Sequence, residues 1–292
     1  MKRYLELLAL LCLSIGSTVT ASAQTSSEGV VPPPKVLVVI REFIKPGKSG
    51  TPHEKTESAF VQAMTAAKWP THYLGIDAAS GVSRSVFFTA YDSFEAWEKD
   101  TKATFGNATL ATALDRASIA DGDLLTSTET NVFSYREDLS YHAPVNIAQM
   151  RYFEATSFKT RPGHEMDWEA IAKMYVENYG KTDPNAHWAI YQQMYGHNSG
   201  GVYVVLVPMK SLAEVDASIV NGKKFIDQMG ESGMKKIMEL SAASTEAIES
   251  NLLTFNPKIS YPPDEWVKAD PSFWKPKSAA TTVRKPADKP PQ

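Results

Sequence analysis

Six histidines fall in the chain, and four of them recur in two similar settings. His53-Glu54 and His164-Glu165 each open a helical pattern, while His72-Tyr73 and His187-Trp188 each begin an extended run. An imidazole beside a carboxylate is the donor set of a metal site, and an imidazole alone can hold a haem. Spacing opposes a single site within either setting. A helix separates His53 from His72, and His164 from His187, which puts each pair of rings roughly 20 Å apart at about 1.5 Å per residue. Neither His-Glu-x-x-His nor Cys-x-x-Cys occurs, so no metal is expected. The alternative reading is structural: His53 and His164 occupy first helical turns, where the helix dipole favours Glu54 and Glu165, and His72 and His187 are strand-edge rings bonded to backbone.

Hydrolytic chemistry finds no support, because Gly-x-Ser-x-Gly is missing. The glycine-rich Gly196-His197-Asn198-Ser199-Gly200-Gly201 lies between two strand patterns, which predicts a hairpin loop rather than a phosphate cradle. Aromatic residues are the stronger signal. Trp168, Tyr175, Tyr179, Trp188, Tyr191, Tyr195 and Tyr203 concentrate large rings with polar tips in the second half, suited to a flat or apolar molecule or to packing a helix on a sheet.

The elements that must position these residues read β-α-β-β-α-β, twice. In the first half, Val36 to Ile44 is β-branched and apolar, and Ala59, Phe60, Ala63, Met64 and Ala67 recur at helical spacing. Extended runs follow at Thr71 to Ile76 and Ser85 to Tyr91, then a helix with Asp92 and Glu95 as a capping box, then a strand from Val132 to Tyr135. The second half repeats this with Met150 to Phe158, a helix carrying Trp168, Ile171, Ala172 and Tyr175, strands Trp188 to Tyr195 and Val202 to Val207, and a helix entered at Ser211-x-x-Glu214. Thr128 to Tyr141 aligns without a gap on Ile248 to Tyr261, with Glu129/Glu249, Asn131/Asn251, Ser140/Ser260 and Tyr141/Tyr261 identical. An internal duplication makes each copy a complete unit, here the ferredoxin-like α+β arrangement.

Residues 1–23 read as a signal peptide: Lys2 and Arg3, an apolar run from Leu7 to Ile15, and Ala21-Ser22-Ala23 before the expected cut. The protein is therefore expected to be exported, to the periplasm or the medium. Residues 24–34 form a linker, 35–141 and 148–261 the two units, and 262–292 a Pro- and Lys-rich tail expected to be mostly disordered. Trp266, Phe273 and Trp274 are the exception, and predict that the start of the tail packs on the body. Cys12 is the single cysteine and lies in the signal, which leaves the remainder without disulfides or thiolate sites. Without Lys2, Arg3 and Glu6, 28 of the 30 basic and 32 of the 33 acidic residues remain. That mild balance offers no footprint for nucleic acid or an anionic membrane.

A first strand leading into Pro162-Gly163-His164-Glu165 and then Trp168 resembles the dimeric α/β-barrel superfamily, with its antibiotic-biosynthesis monooxygenase-like and NIPSNAP-like domains. The first unit departs from that entry, with the longer loop Lys45 to Pro52 before His53. The resemblance implies two four-stranded sheets packed face to face in a closed barrel, usually between two chains and here within one, with a homodimer as the other arrangement. The aromatic residues of the second unit favour a protein that binds a small hydrophobic or aromatic molecule in the cavity of that unit. The alternatives are a cofactor-free monooxygenase, a haem-handling enzyme, or a non-catalytic scaffold. No cofactor is expected on the first reading, and haem only on the third. The residues singled out for ligand binding are His164, Trp168, Tyr175, His187, Trp188, Tyr191, His53 and His72.

Overall fold

The computed structural model describes residues 29–275 apart from Pro184 and Ser199; the expected signal segment and the chain end beyond residue 275 lie outside the described residues. The first unit comprises β1 (Val36–Ile44), α1 (Thr51–Ala67), β2 (Tyr73–Ala78), β3 (Arg84–Tyr91), α2 (Phe94–Gly106), α3 (Ala108–Gly122) and β4 (Leu125–Tyr135). The second comprises β5 (Tyr152–Thr160), α4 (Glu165–Thr182), β6 (Ala189–Tyr195), β7 (Val202–Met209), α5 (Ala213–Ser244) and β8 (Thr245–Phe255), followed by the short α6 (Asp264–Ala269) and α7 (Pro271–Trp274). Two strands of each unit, β1 with β3 and β5 with β7, pair over eight residues in matching antiparallel ladders.

Among the described residues, eight strands close one barrel in the order β1-β3-β2-β8-β5-β7-β6-β4. Each unit therefore contributes the ferredoxin-like order, and its outer strands join the other unit, β2 to β8 and β6 to β4. Closure removes the free edges that a four-stranded sheet would expose. Strand alternation sorts the side chains into two layers. Leu37, Val39, Val86, Phe133, Phe153, Tyr191, Leu206 and Leu253 point into the barrel. The opposite faces lie under helices, with α1 packed on α3 in the first unit and α4 on α5 in the second.

One end of the barrel is stopped by the chain after β8. Trp274 is buried against Phe255 and Trp266, and its indole Nε1 donates to Ala148 O at 2.9 Å. Arg151 stacks over Phe273 and pairs with Asp270. The rings of this tail thus pack on the body, because Phe153 and Phe255 would otherwise meet water.

Candidate functional site

The barrel interior holds a cavity of about 80 Å³. Leu37, Val39, Val86, Phe88, Phe133, Leu206 and Leu253 make its wall apolar, and Tyr191 is the one sequence-selected candidate that reaches it. Burial raises the Tyr191 phenol, and its hydroxyl donates to Pro34 O at 3.2 Å, so it stays neutral. At the end away from Trp274 the lining becomes polar, with Arg41, Arg84, Ser157, Glu249 and Asn251. Arg41 lies 2.7 Å from Glu129, and Arg84, only 7% exposed, lies 3.2 Å from Glu249. Asn251 Nδ2 donates to Glu249 at 2.9 Å. That bond, then the charges of Arg84 and Arg41, outweigh burial and hold Glu249 below the usual carboxylate range. Arg41 Nε and Asn131 Nδ2 are buried donors with no acceptor. An unmet buried donor costs about 1–3 kcal/mol, and an oxygen on a bound molecule would relieve it.

The duplicated identities converge on this mouth. Asn131 sits beneath Gly196 of the β6–β7 hairpin, and Asn251 sits beneath Gly81 of the β2–β3 hairpin, so each unit's asparagine supports the other unit's turn. Gly196 and Gly81 have φ of 117° and 81°, in the region open to glycine. The loop after Gly196 connects two strands, as the glycine pattern predicts.

A second constellation lies on the outer face of the same β1 and β3 segment. His53, buried at 2% exposure on α1, sits 3.1 Å from Glu42 Oε2 of β1, 3.5 Å from Asp121 Oδ1 of α3 and 3.9 Å from Glu57 Oε1, all measured from Nε2. Its Nδ1 is 3.4 Å from Ser85 Oγ, which donates to Asp77 Oδ1 at 2.5 Å. Asn256 Nδ2 donates to the other Asp77 oxygen at 2.7 Å. Burial first, then the charges of Glu42, Asp121 and Asp77, push Glu57 up to about 10. Glu42 is raised by burial too, against the hydrogen bond from His53. For His53 burial opposes the charged ring, but the Glu42 bond and the fields of Asp121, Glu42 and Asp77 win and raise it.

Strand register locates the same place in the second unit. Val39 faces Asn131 and Ala155 faces Asn251, which makes Glu42 the counterpart of Phe158; Ser85 corresponds to Tyr203 by the matching β1–β3 and β5–β7 ladders. Phe158 and Tyr203 pack on Trp168, with ring centroids 5.2 and 4.2 Å away. Trp168 therefore takes the place of His53. The expected His53/His164 equivalence does not hold: the loop before α1 shifts the register, and His164 precedes α4 at the surface, bonded to Asp167 at 2.8 Å.

The remaining candidates are dispersed. Trp168, Tyr175 and Trp188 line a cavity of about 20 Å³ between α4 and the second sheet, a layer packed like a core. His187 Nε2 lies 2.8 Å from Pro208 O, a backbone bond at a strand edge. His72 lies 4.6 Å from the Tyr261 ring. No histidine lines either cavity, so the residues there do not fit a haem held by an imidazole. Sequence reasoning missed Arg41, Arg84 and the carboxylates around His53; the signal available for the mouth was the repeated Glu129/Glu249 and Asn131/Asn251.

Neither a protein-family profile nor the sequence of a curated protein matches the chain. Among solved structures it is similar to an anthrone oxidase-like protein, at 15% identity over 76% of this chain and 92% of that one, with a TM-score of 0.50. It is also similar to a chlorite dismutase variant from Candidatus Nitrospira defluvii, at 12% identity over 81% of this chain and 95% of that one, with a TM-score of 0.45. At such identities the likeness to the anthrone oxidase-like protein is one of fold, and it agrees with the strand order: the chain folds as a closed α/β barrel with both ferredoxin-like halves on one polypeptide.

Proposed function

We propose that the protein binds a small apolar or aromatic molecule carrying an anionic or carbonyl oxygen, with its apolar part inside the barrel and its oxygen at Arg41 and Arg84. The observation that carries this reading is an apolar cavity ending in two arginines, one with a buried unmet donor. Its volume of about 80 Å³ is roughly half that of a dry cavity known to hold benzene, so a single ring is accommodated only with part of it in the mouth or with the cavity widened. Glu129 and Glu249 already neutralise the arginines, which favours a weakly charged head over a dianion.

Benzoate and toluene, titrated by calorimetry or ligand-observed NMR, test the assignment. Benzoate should bind more tightly than toluene, Ala155→Phe should abolish both by filling the cavity, and Arg84→Gln should weaken benzoate by about tenfold or more while sparing toluene. Equal binding to the Ala155→Phe variant would refute an interior site. A cofactor-free monooxygenase is the second reading, served by the fold shared with an anthrone oxidase-like protein and by Glu249 as a carboxylate beside the cavity. Mass analysis of the recovered ligand separates the two, since oxygen gain or hydrogen loss would replace binding by turnover. Export is likewise proposed, on the signal pattern of residues 1–23, and mature protein beginning elsewhere than Gln24 would count against it.

A further inference from the structure

We infer that the first unit carries a divalent transition-metal site formed by Glu42, His53, Glu57 and Asp121. One nitrogen and three carboxylate oxygens from these residues lie within 4.8 Å of one another. The set draws on β1, α1 and α3, so the fold, and not a local motif, brings it together. A tetrahedron with bonds of about 2.1 Å has edges of about 3.4 Å, and the distances from His53 Nε2 to the three oxygens are 3.1, 3.5 and 3.9 Å. Small side-chain adjustments would place all four atoms around one ion.

Two observations independent of composition point to a cation as ligand. Glu57 is 3% exposed and its Oε1 accepts no hydrogen bond; Asp121 is 1% exposed and its Oδ2 accepts none. Buried carboxylate oxygens without partners are rare, and each calls for a proton or a cation. The outer partners are those expected around a ligating imidazole. His53 Nδ1 faces Ser85 Oγ, Ser85 bonds Asp77, and Asn256 bonds Asp77 in turn, a chain that leaves Nε2 turned to the carboxylates. Thr56 Oγ1 donates to Asp121 Oδ1 at 2.5 Å and orients that carboxylate. Mixed imidazole and carboxylate donors suit ions between Mn²⁺ and Zn²⁺, whereas an all-oxygen set would suit Ca²⁺ or Mg²⁺. Three carboxylates also balance a divalent charge better than one imidazolium can.

The competing occupant is a proton shared within the cluster. Full-chain protein stripped with chelator and dialysed would be titrated with Zn²⁺ by calorimetry and with Mn²⁺ by the loss of the free-ion EPR signal. One equivalent should bind in each case, and Glu57→Gln and Asp121→Asn should weaken binding at least tenfold while benzoate binding at the barrel mouth is retained. Loss of metal with retained benzoate binding supports the site and shows that the variant is folded. If the variants fold poorly, metal stoichiometry and the Mn²⁺ spectrum of the wild type decide instead. Absence of bound metal in the wild type, or variants that bind as tightly as it does, would overturn the assignment. The second outcome would move the ion to a surface group such as His164 with Asp167.

Discussion

Glu154 illustrates how a single side chain can report on the packing around it. It alternates with Phe153 and Ala155 on β5 and so faces the helices of the second unit, where burial raises its pKa from the ordinary 4.5 to about 7. The folded state then holds a proton that the unfolded chain releases earlier. Stability from this group is complete below about pH 4.5 and is lost as pH rises through about 7, by roughly 3 kcal/mol at 1.36 kcal/mol per unit. Glu154→Gln should flatten that part of the curve, so its melting temperature should fall less than that of the wild type between about pH 4.5 and 7.5. Parallel curves would show that the carboxyl is solvated. Gly196 is a second such case. A Cβ there would run into Asn131 Oδ1 and Thr130 O at a φ of 117°. Gly196→Ala should cost about 1–3 kcal/mol in urea unfolding, and an unchanged midpoint would contradict the close approach. The sequence singled out Asn131 by its repeat partner, but not the glycine that needs it.

Among the elements, the strands and α1 and α4 were legible because alternation and helical spacing are local. Other features depend on neighbours far along the chain. Ser93, and not Asp92, caps α2, with its hydroxyl accepting from Ala96 N. One expected helix is broken into α2 and α3 at Asn107, whose extended backbone and side-chain cap to Leu110 N start a new axis. That break brings α3 onto α1 and Asp121 to His53, which explains why no spacing announced the cluster. The tail helices were foreshadowed by rings in an otherwise polar stretch. Trp274→Ala should destabilise the protein by about 3–5 kcal/mol, because it empties the plug over Phe255. Chemical denaturation would show this, and a loss below about 1 kcal/mol would mean the plug is dispensable.

For the whole molecule, the repeat announced two units and the bare sheet faces announced their union. The seams differ from the interior of each unit: β2 meets β8 over three residue pairs and β4 meets β6 over four, against eight within each β1–β3 type pair. Most of what joins the halves is therefore the apolar interior, not ladder hydrogen bonds. Halves produced separately, cut near Ala143, should aggregate alone and recover a cooperative melt when refolded together. A half that stayed monomeric and folded would show that its inner face needs no partner. The function was less legible than the fold, since the arginines and carboxylates that gather at the mouth and at His53 come from strands and helices that meet only in three dimensions.

Joining both halves on one chain has an outcome that two identical subunits cannot reach. In a symmetric pair, every replacement appears twice, and an acidic pocket on one side forces its copy on the other. Here the position held by His53 on one side is held by Trp168 on the other, and Glu42 answers to Phe158. Linkage has released the two copies to diverge, one toward ionic chemistry and the other toward a rigid aromatic wall, around a chamber they still share.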